Sequence, residues 1–252
     1  ISTPFLSGDT FRKCATFIYT GYKFTLKKPE IIFVQSDLLN NFQDDINNIK
    51  KNFVLISHNG DDLVDNKYLL KWYSANVVIR NNKIIPIPLG LQNSRHHLFG
   101  IVDDFKKLRI KEKKKIPKIF CSFDTRTNPS QRKPALKTLS TLILTDVSNG
   151  LSAYEYREKL NNYMFQACPE GNGLDTYRAW ESLYLNVIPI VIKNDFYQQL
   201  NDFPALMLND WSELKLYSEY DLKKIYNSKL EKLKRCKYIW YDYWIKHIHY
   251  DF

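Results

Sequence analysis

The sequence predicts an α/β protein whose two domains face each other across a cleft. Short apolar runs, of the length of buried strands, alternate with amphipathic helical segments along the 252 residues. Polar residues follow the apolar runs, as they do where parallel strands end at a common edge of a sheet. The pattern restarts after a charged segment at 106–118, and the length suits two small domains.

The first half of the chain contains four candidate strands, at 31–34, 53–56, 77–79 and 84–87, and candidate helices at 11–19, 37–50 and 65–73. Ser-Asp follows the first of these strands, and Ser-His-Asn-Gly-Asp follows the second. We therefore expect Asp37, His58 and Asp61 at one edge of a sheet. Asp9, in Ser-Gly-Asp-Thr, lies just before the helix at 11–19, where it is also a plausible helix cap.

Residues 106–118 carry eight basic side chains and one glutamate, and a proline near the end closes the run. Such a run is typical of a linker between domains. A nucleic-acid patch is the alternative, but no aromatic side chains for base stacking lie between the charges. We therefore predict an amino-terminal domain at 1–105 and a carboxyl-terminal domain at 106–236.

The second half repeats the alternation. Strands are expected at 116–123, 142–144, 163–165 and 187–192, a polar loop at 124–132, and helices at 154–161 and 177–184. Four apolar residues then trace one face of a further helix: Leu222, Ile225, Leu230 and Leu233. The aromatic tail, YIWYDYWIKHIHY, predicts a helix within 237–252 that packs back on the first domain.

Composition narrows the class of protein. The net charge is +10, with 28 Lys against 9 Arg, which fits a phosphate-bearing substrate, nucleic acid or an acidic membrane surface as well as a solvated surface. The four cysteines lie far apart, so neither a disulfide framework nor a zinc site is expected. No run reaches the ~18 apolar residues of a membrane helix. We expect a cytoplasmic location and no membrane span, although a chain that begins with Ile1 is consistent with a trimmed anchor.

The stretch CPEGNGLDTYRAWESLY, residues 168–184, has the most specific pattern. Gly171 and Gly173 let the backbone turn tightly and approach a ligand, and Asp175 or Thr176 occupies the place of a helix cap. The predicted strand before this turn and the predicted helix after it would set free N–H groups at the carboxyl end of a sheet, where phosphates bind. A capped helix after a tight turn is the purely structural alternative.

This stretch and the strand after it resemble the signature of the exostosin-like glycosyltransferases, in which Pro-x-Gly-x-Gly-x-Asp-x-x-Arg precedes Trp-Glu-x-Leu and Ile-Pro-Ile-Val. The first half is similar to short viral and microbial members of that group in FLSGDTF, IIFVQSDLL, ISHNGD and IPIPLGLQN. The resemblance spans the chain from near its start to Ile192, and the last sixty residues match no pattern of the family.

The resemblance implies a GT-B fold, with two Rossmann-like domains and a nucleotide-sugar donor, a UDP-sugar, held mainly by the second. Gly171, Asn172 and Gly173 would lie beside the pyrophosphate, with Glu170 in the same turn and Asp175 near the sugar. Glu181 would bond the ribose hydroxyls. Three arginines are candidates to neutralise the diphosphate: Arg126, Arg132 and Arg178. The acceptor would be an oligosaccharide or a glycoprotein glycan, and the transferred sugar stays open between xylose, glucuronic acid, N-acetylglucosamine and galactose.

The sequence also indicates whether the enzyme needs a metal ion and which residues could act as its general base. Among its 18 aspartates no Asp-x-Asp triplet occurs, so we expect an enzyme without a metal or other cofactor, in which arginines and helix N–H groups neutralise the diphosphate. An inverting transfer needs a general base for the acceptor hydroxyl. The candidates are Asp9, Asp37, His58 and Asp61, and His96 and His97 are expected to be solvated.

Three other functions are alternatives to a glycosyltransferase. A basic nucleic-acid-binding protein would explain the charge, but no recognisable motif supports it. A dinucleotide oxidoreductase is disfavoured because no Gly-x-Gly-x-x-Gly follows the first strand. A non-catalytic, carbohydrate-binding relative stays open because the base is not assigned.

Overall fold

The computed structural model describes residues 4–58, 66–76, 81–96, 98–111, 113–200 and 202–252. Its contacts divide the chain into two compact units. Unit 1 combines Ile1–Asn93 with Lys237–Phe252, and unit 2 is Ser94–Cys236. Each unit has a five-stranded sheet of parallel strands with helices, so the predicted α/β class is confirmed and is consistent with two Rossmann-like domains.

In the described part of unit 1, the strands are β1 (Phe17–Ile18), β2 (Glu30–Gln35), β3 (Phe53–His58), β4 (Leu69–Ser74) and β5 (Ile84–Pro86). The helices are α1 (Gly8–Cys14), α2 (Leu39–Ile46) and, last in the chain, α9 (Tyr241–Tyr250). A 3₁₀ turn, Ser36–Leu38, joins β2 to α2. The strands lie in the order β1-β2-β3-β4-β5.

This consecutive order explains how the two faces of the sheet are covered. Right-handed connections between consecutive parallel strands all run over the same face. Phe42 of α2 packs in the core on that face, with alternate strand residues such as Ile32 and Leu55. The opposite face is covered by α1 and α9, whose Phe11 and Trp244 rings lie 6.0 Å apart.

Most elements predicted for this half are confirmed, but two predictions are wrong. The helix expected at 65–73 is wrong because residues 69–74 form the strand β4. The apolar residues of this segment are spaced as on one face of a helix. A strand that is buried on both faces has no alternation of polar and apolar residues that would distinguish it from a helix. The helix expected at 11–19 ends at Cys14, and Phe17–Ile18 join the sheet as β1. The strand expected at 77–79 lies outside the described residues.

In the described part of unit 2, the strands are β6 (Ile116–Cys121), β7 (Thr145–Val147), β8 (Tyr163–Ala167), β9 (Ile188–Ile192) and β10 (Leu206–Leu208). The helices are α3 (Val102–Ile110), α4 (Pro129–Leu139), α5 (Ala153–Leu160), α6 (Tyr177–Tyr184), α7 (Asp195–Gln199) and α8 (Glu219–Arg235). A 3₁₀ segment, Trp211–Leu216, precedes α8.

The strand order of unit 2 is β10-β9-β8-β6-β7. From β6 the chain moves one way to β7, then returns to the other side of β6 and continues outward through β8, β9 and β10. The direction therefore reverses between β6 and β8. In parallel α/β sheets such a reversal separates the two following loops and opens a crevice at the carboxyl ends of the strands, where ligands bind.

Three predictions for this half need correction. The polar loop expected at 124–132 is shorter, since Asn128 caps α4 and the helix begins at Pro129. The run at 106–118 is not a free linker, because α3 continues to Ile110 and β6 begins at Ile116. The strand expected at 142–144 is wrong, since β7 begins at Thr145 and Ile143 is 89% exposed. Within the described ranges, none of the helices combines the length and the apolar composition that a membrane span requires.

Candidate functional site

The crevice between β6 and β8 is bordered by the loop 122–128 after β6 and the loop 168–176 after β8. Asn128 caps α4, accepting a hydrogen bond from the N–H of Gln131, and a proline occupies the first helical position. The side-chain amide of Asn128 also donates to the carbonyl of Gly171 at 2.8 Å. One residue thus starts the helix and ties the two loops together.

Arg132 lies on α4 and is only 3% exposed. Its Nε donates to the carbonyl of Glu170 and its Nη1 to the carbonyl of Asp124, each at 2.8 Å. Burial, and next the positive charge of Arg178, lowers the pKa of Arg132 to about 10. The sequence placed Arg132 in a polar loop, whereas the helix and two carbonyls hold it in a fixed orientation.

Arg178 lies in the first turn of α6, where its Nε donates to the carbonyl of Ser122 at 2.9 Å. Other arginines, such as Arg126 and Arg157, form ion pairs with aspartates. No carboxylate in the described part of the chain lies at ion-pair distance from Arg132 or Arg178, whose hydrogen bonds go to backbone carbonyls. The crevice therefore contains two neighbouring positive charges that form no ion pair with a described carboxylate; Asp124 acts on Arg132, and Glu181 on Arg178, only at longer range. Such a pair of guanidinium groups favours an anion.

Gly171 makes room for Arg132. A Cβ at position 171 would lie 2.9 Å from Nη2 of that arginine, closer than side chains normally approach. The N–H of Gly171 donates to the carbonyl of Gly173 at 3.3 Å, which closes the turn. Asn172, between the two glycines, is exposed. The pattern of two glycines is thus explained in part by the position of a guanidinium group.

Asp175 is buried and its carboxylate is used within the protein. It accepts bonds from the N–H of Thr176 at 2.8 Å, the Trp180 indole at 2.7 Å and the Tyr197 hydroxyl at 3.1 Å. These bonds connect the loop to α6 and α7. Thr176 is the residue that caps α6, without a side-chain cap bond, and its buried hydroxyl has no partner in the described part of the chain.

Glu181, one turn into α6, is also buried. It accepts a hydrogen bond from the Tyr156 hydroxyl at 2.9 Å, and the oxygen of that hydroxyl accepts one from Gln166 at 2.6 Å. Burial raises the pKa of Glu181, while the charge of Arg178 and the bond from Tyr156 act in the opposite direction. This carboxylate is therefore held behind the crevice by a buried polar network.

The other two candidates of this unit lie in different surroundings. Glu170 accepts a bond from the Asn194 amide at 2.9 Å. Arg126 is exposed and lies 2.7 Å from the carboxylate of Asp124, and its hydrogen bonds lower the pKa of that carboxyl to about 2. The three candidate arginines are thus divided: Arg132 and Arg178 form no ion pair with a described carboxylate, whereas Arg126 is paired at the surface.

In unit 1, His58 ends β3 and is 4% exposed. Its Nε2 donates to the carbonyl of Leu89 at 3.1 Å, because a carbonyl can only accept. Its Nδ1 lies 2.9 Å from the position that a Cβ on Gly8 would occupy, and the side chain of Asn93 lies 2.8 Å from the same position. The histidine, the glycine and the asparagine therefore meet at the start of α1.

The loop before Asn93 is fixed by one glycine. Gly90 has a φ of +66°, and a Cβ there would lie 2.2 Å from the carbonyl oxygen of Leu6. The N–H of Leu91 donates to that same oxygen at 2.6 Å. The segment at 87–93 is therefore held against the residues that precede α1, next to the end of β3.

The remaining candidates of unit 1 are placed as follows. Asp9 is half-buried in the first turn of α1, and its N–H donates to the Asn93 side chain at 3.1 Å. Asp37 is exposed in the 3₁₀ turn after β2, the strand beside β3. Asp61 and His97 lie outside the described residues, and His96 is exposed as expected. Asp9 and His58 are thus brought to the same helix start, with Asp37 at the neighbouring strand end.

Sequence reasoning missed four residues of these sites: Asn93, Asn128, Tyr156 and Gln166. Asn128 could have been found, because Asn followed by Pro is a common start of a helix. Tyr156 and Gln166 lie in segments whose apolar pattern indicates only a core. The role of Asn93 depends on a loop crossing, for which the sequence has no periodic signal.

Among the described residues, no group of three or more His, Cys, Asp or Glu side chains is arranged to hold a metal ion. Neither a family model nor a curated protein matches the chain.

Proposed function

We propose that the protein is a glycosyltransferase that binds a nucleotide-diphosphate sugar, a UDP-sugar, in the β6/β8 crevice of unit 2. The observation that carries the proposal is the pair Arg132 and Arg178, which form no ion pair with a described carboxylate and whose hydrogen bonds go to backbone carbonyls. Guanidinium groups match the oxygens of phosphate in geometry and charge. A diphosphate supplies the direct ionic partner that this pair lacks among the described residues.

The position of the pair supports the same ligand. It lies where the strand order reverses, which is the usual ligand site of parallel α/β sheets. The resemblance of residues 168–192 to exostosin-like glycosyltransferases implies a pyrophosphate beside Gly171, Asn172 and Gly173. In this proposal Glu181 bonds the ribose, and Asp175 acts indirectly by holding the loop.

The arginines also fit the chemistry. In an inverting transfer, an acceptor oxygen forms a bond to the anomeric carbon while the bond from that carbon to the diphosphate oxygen breaks. Negative charge then develops on the leaving diphosphate, and cationic groups fixed beside it lower the barrier. We propose that Arg132 and Arg178 perform this task without a metal ion. EDTA should then leave transfer unchanged, and loss of activity that Mn²⁺ restores would contradict it.

The proposed arrangement is GT-B, in which the resemblance assigns the acceptor and the general base to the first domain. The candidates in unit 1 are Asp9, Asp37, His58 and Asp61. His58 has its Nε2 proton engaged with a carbonyl, so Nδ1 is the nitrogen through which it would accept a proton. The proposed acceptor is an oligosaccharide or a glycoprotein glycan.

A calorimetric panel of UDP, ADP, GDP and UDP-sugars tests the proposal. We expect UDP to bind, and Arg132→Gln with Arg178→Gln to weaken it by about tenfold or more for each charge-assisted bond lost. Thermal unfolding of the variants verifies that they are folded. Absence of nucleotide binding, or affinity unchanged in the double variant, would overturn the assignment. Tight UDP binding without transfer to any glycan would instead indicate a non-catalytic relative.

A further inference from the structure

A second cationic cavity lies at the opposite edge of the sheet of unit 2. Its volume is about 460 Å³. Lys115 and Asn161, which line it, precede β6 and β8, and Asn186 precedes β9, so the cavity is at the amino ends of the strands. The crevice with Arg132 and Arg178 is at the carboxyl ends. The two places are therefore separated by the length of the strands.

The rim of this cavity is formed by the basic segment that the sequence singled out. Its cations are Arg109, Lys111, Lys113, Lys114 and Lys115. Lys111 and Lys113 share one carboxylate, Glu158, at 3.8 and 4.0 Å. In the sequence, residues 109–115 contain five cations and one glutamate, and Glu158 is the carboxylate that the structure places beside Lys111 and Lys113. The cavity therefore has an excess of positive charge.

Lys115 is the most enclosed of these cations. Its Nζ donates to the backbone and side-chain oxygens of Asn161, at 2.7 and 3.2 Å, and not to a carboxylate of the described part of the chain. Burial, followed by repulsion from Lys113, lowers the pKa of Lys115 to about 8. A bound anion would stabilise its charged form. The ammonium group of Lys115 is thus held in place by neutral oxygens, as the guanidinium group of Arg132 is held by two backbone carbonyls.

The floor of the cavity is apolar. It is formed by Leu108, Leu185, Leu230 and Tyr226. The Tyr226 hydroxyl donates to the carbonyl of Asn186 at 2.9 Å, which fixes the ring. The volume falls within the ~300–1,000 Å³ of small-molecule sites, and a concave site with few aromatic side chains is a poor track for a polynucleotide.

We propose that this cavity binds the phosphate groups of a small, multiply charged phosphorylated ligand, independently of the proposed donor site. The apolar floor contacts the organic part of that ligand, and the basic rim contacts its phosphates. A free phosphorylated metabolite and the headgroup of a phosphorylated lipid share this chemistry.

Inorganic tripolyphosphate is the probe, titrated calorimetrically at ~150 mM salt, where distant charges are screened. The full chain is first changed at Arg132→Gln and Arg178→Gln, so that the crevice at the other edge does not contribute. One site should remain. Lys111→Glu with Lys114→Glu, both exposed, should weaken binding at this site by about tenfold or more, and Lys115→Gln should weaken it as well.

The matched control is Lys193→Glu with Lys215→Glu, which changes the net charge equally at exposed positions away from this edge. It should keep the affinity within about twofold. Equal losses in the control and rim variants would reduce the binding to general attraction and overturn the proposal. So would loss of all binding in the two-arginine background.

Two further arms identify the ligand. If the protein binds vesicles that contain a phosphorylated phosphatidylinositol, and tripolyphosphate displaces it, the site exists and its ligand is a lipid headgroup. If the protein prefers soluble inositol phosphates, the site exists and its ligand is a free metabolite. If an RNA oligonucleotide binds through the same lysines and tripolyphosphate does not displace it, the proposal of a small-ligand site is overturned in favour of nucleic-acid binding.

Discussion

In the described part of the chain, the sheets of unit 1 and unit 2 each contain five parallel strands. The order in which the chain visits neighbouring strands reverses in unit 2, between β6 and β8, and does not reverse in unit 1. In unit 2 the reversal leaves a crevice, and Arg132 and Arg178 lie on the helices α4 and α6 that follow the loops on its two sides. In unit 1 the strands follow one another in order, and segments from elsewhere lie at the carboxyl end of β3. There the structure contains a buried imidazole, His58, beside the start of α1.

The difference shows how strand order influences chemistry. The edge of unit 2 presents fixed positive charge, which suits binding of an anion. The edge of unit 1 presents His58 and two acids, Asp9 and Asp37, which suits proton transfer. Variants at the two edges should therefore change different kinetic quantities.

The largest effect is expected at the edge of unit 1. The changes are Asp9→Asn, Asp37→Asn, His58→Ala and Asp61→Asn. Loss of the true base should lower turnover by about 10²–10⁴ with UDP affinity unchanged, because the base acts only on the acceptor. Steady-state kinetics and calorimetry of the four variants separate the two quantities. If every variant keeps more than about a tenth of the turnover, the comparison fails and a retaining or substrate-assisted mechanism is the better account.

At the edge of unit 2, Glu181→Gln should have two opposite effects. Glutamine still accepts the hydrogen bond from Tyr156, but the ribose of the nucleotide loses a charge-assisted hydrogen bond to the carboxylate. The Kd for UDP should therefore rise about tenfold. The free energy of unfolding at pH 7 should rise, because the glutamine side chain buries no charge. Calorimetry and thermal unfolding measure these two effects.

The pH dependence distinguishes this explanation from a change in packing. The pKa of Glu181 is higher in the folded protein than its ordinary value of 4.5, so the unfolded chain releases this proton first as pH rises. The contribution of Glu181 to stability therefore falls from about pH 4.5 up to the folded pKa. The variant should lack this fall. An identical pH profile in both proteins would show that the carboxylate is not destabilised by burial.

A smaller effect is expected for Gly171→Ala. The added Cβ would lie 2.9 Å from Nη2 of Arg132, so the guanidinium must move and its bond to the carbonyl of Glu170 weakens. The Kd for UDP should rise by roughly 3–10-fold, which corresponds to about 1 kcal/mol. In an Arg132→Gln background the same change should have no further effect. Additive effects would mean that the glycine acts independently of the arginine.

The smallest effect is expected for Arg126→Gln. This arginine belongs to the same loop as the crevice residues but is exposed and paired with Asp124. Since exposed ion pairs contribute little, the Kd for UDP should change by less than about twofold. A loss comparable to that of Arg178→Gln would place Arg126 in the site and remove the distinction between paired and unpaired arginines.

The sequence predicted the strands that are apolar throughout, such as β3 and β9, because a central parallel strand is buried on both faces. It also predicted the Gly171 turn and the helix after it. Strand order could not be predicted, since no local pattern records which strands are neighbours. The reversal between β6 and β8 is therefore known only from the structure.

The same limit applies to burial and pairing. Arg126 and Arg132 look equivalent in the sequence, yet one is paired at the surface and the other is held by two carbonyls. Asp175, which the resemblance places near the sugar, is enclosed by Trp180 and Tyr197. Such distinctions depend on contacts between distant segments, which periodicity and spacing do not encode.

The connectivity of unit 1 has a consequence for the order in which the protein is made. Its two segments are separated by the whole of unit 2, so Phe5 and Phe11 meet Trp240 and Trp244 only after Ser94–Cys236 has been synthesised. At about 5–20 residues per second, that takes on the order of ten seconds. During this interval the second unit is still incomplete and the first unit lacks α9, so the side chains that α9 covers, such as Phe11, are open to chaperones.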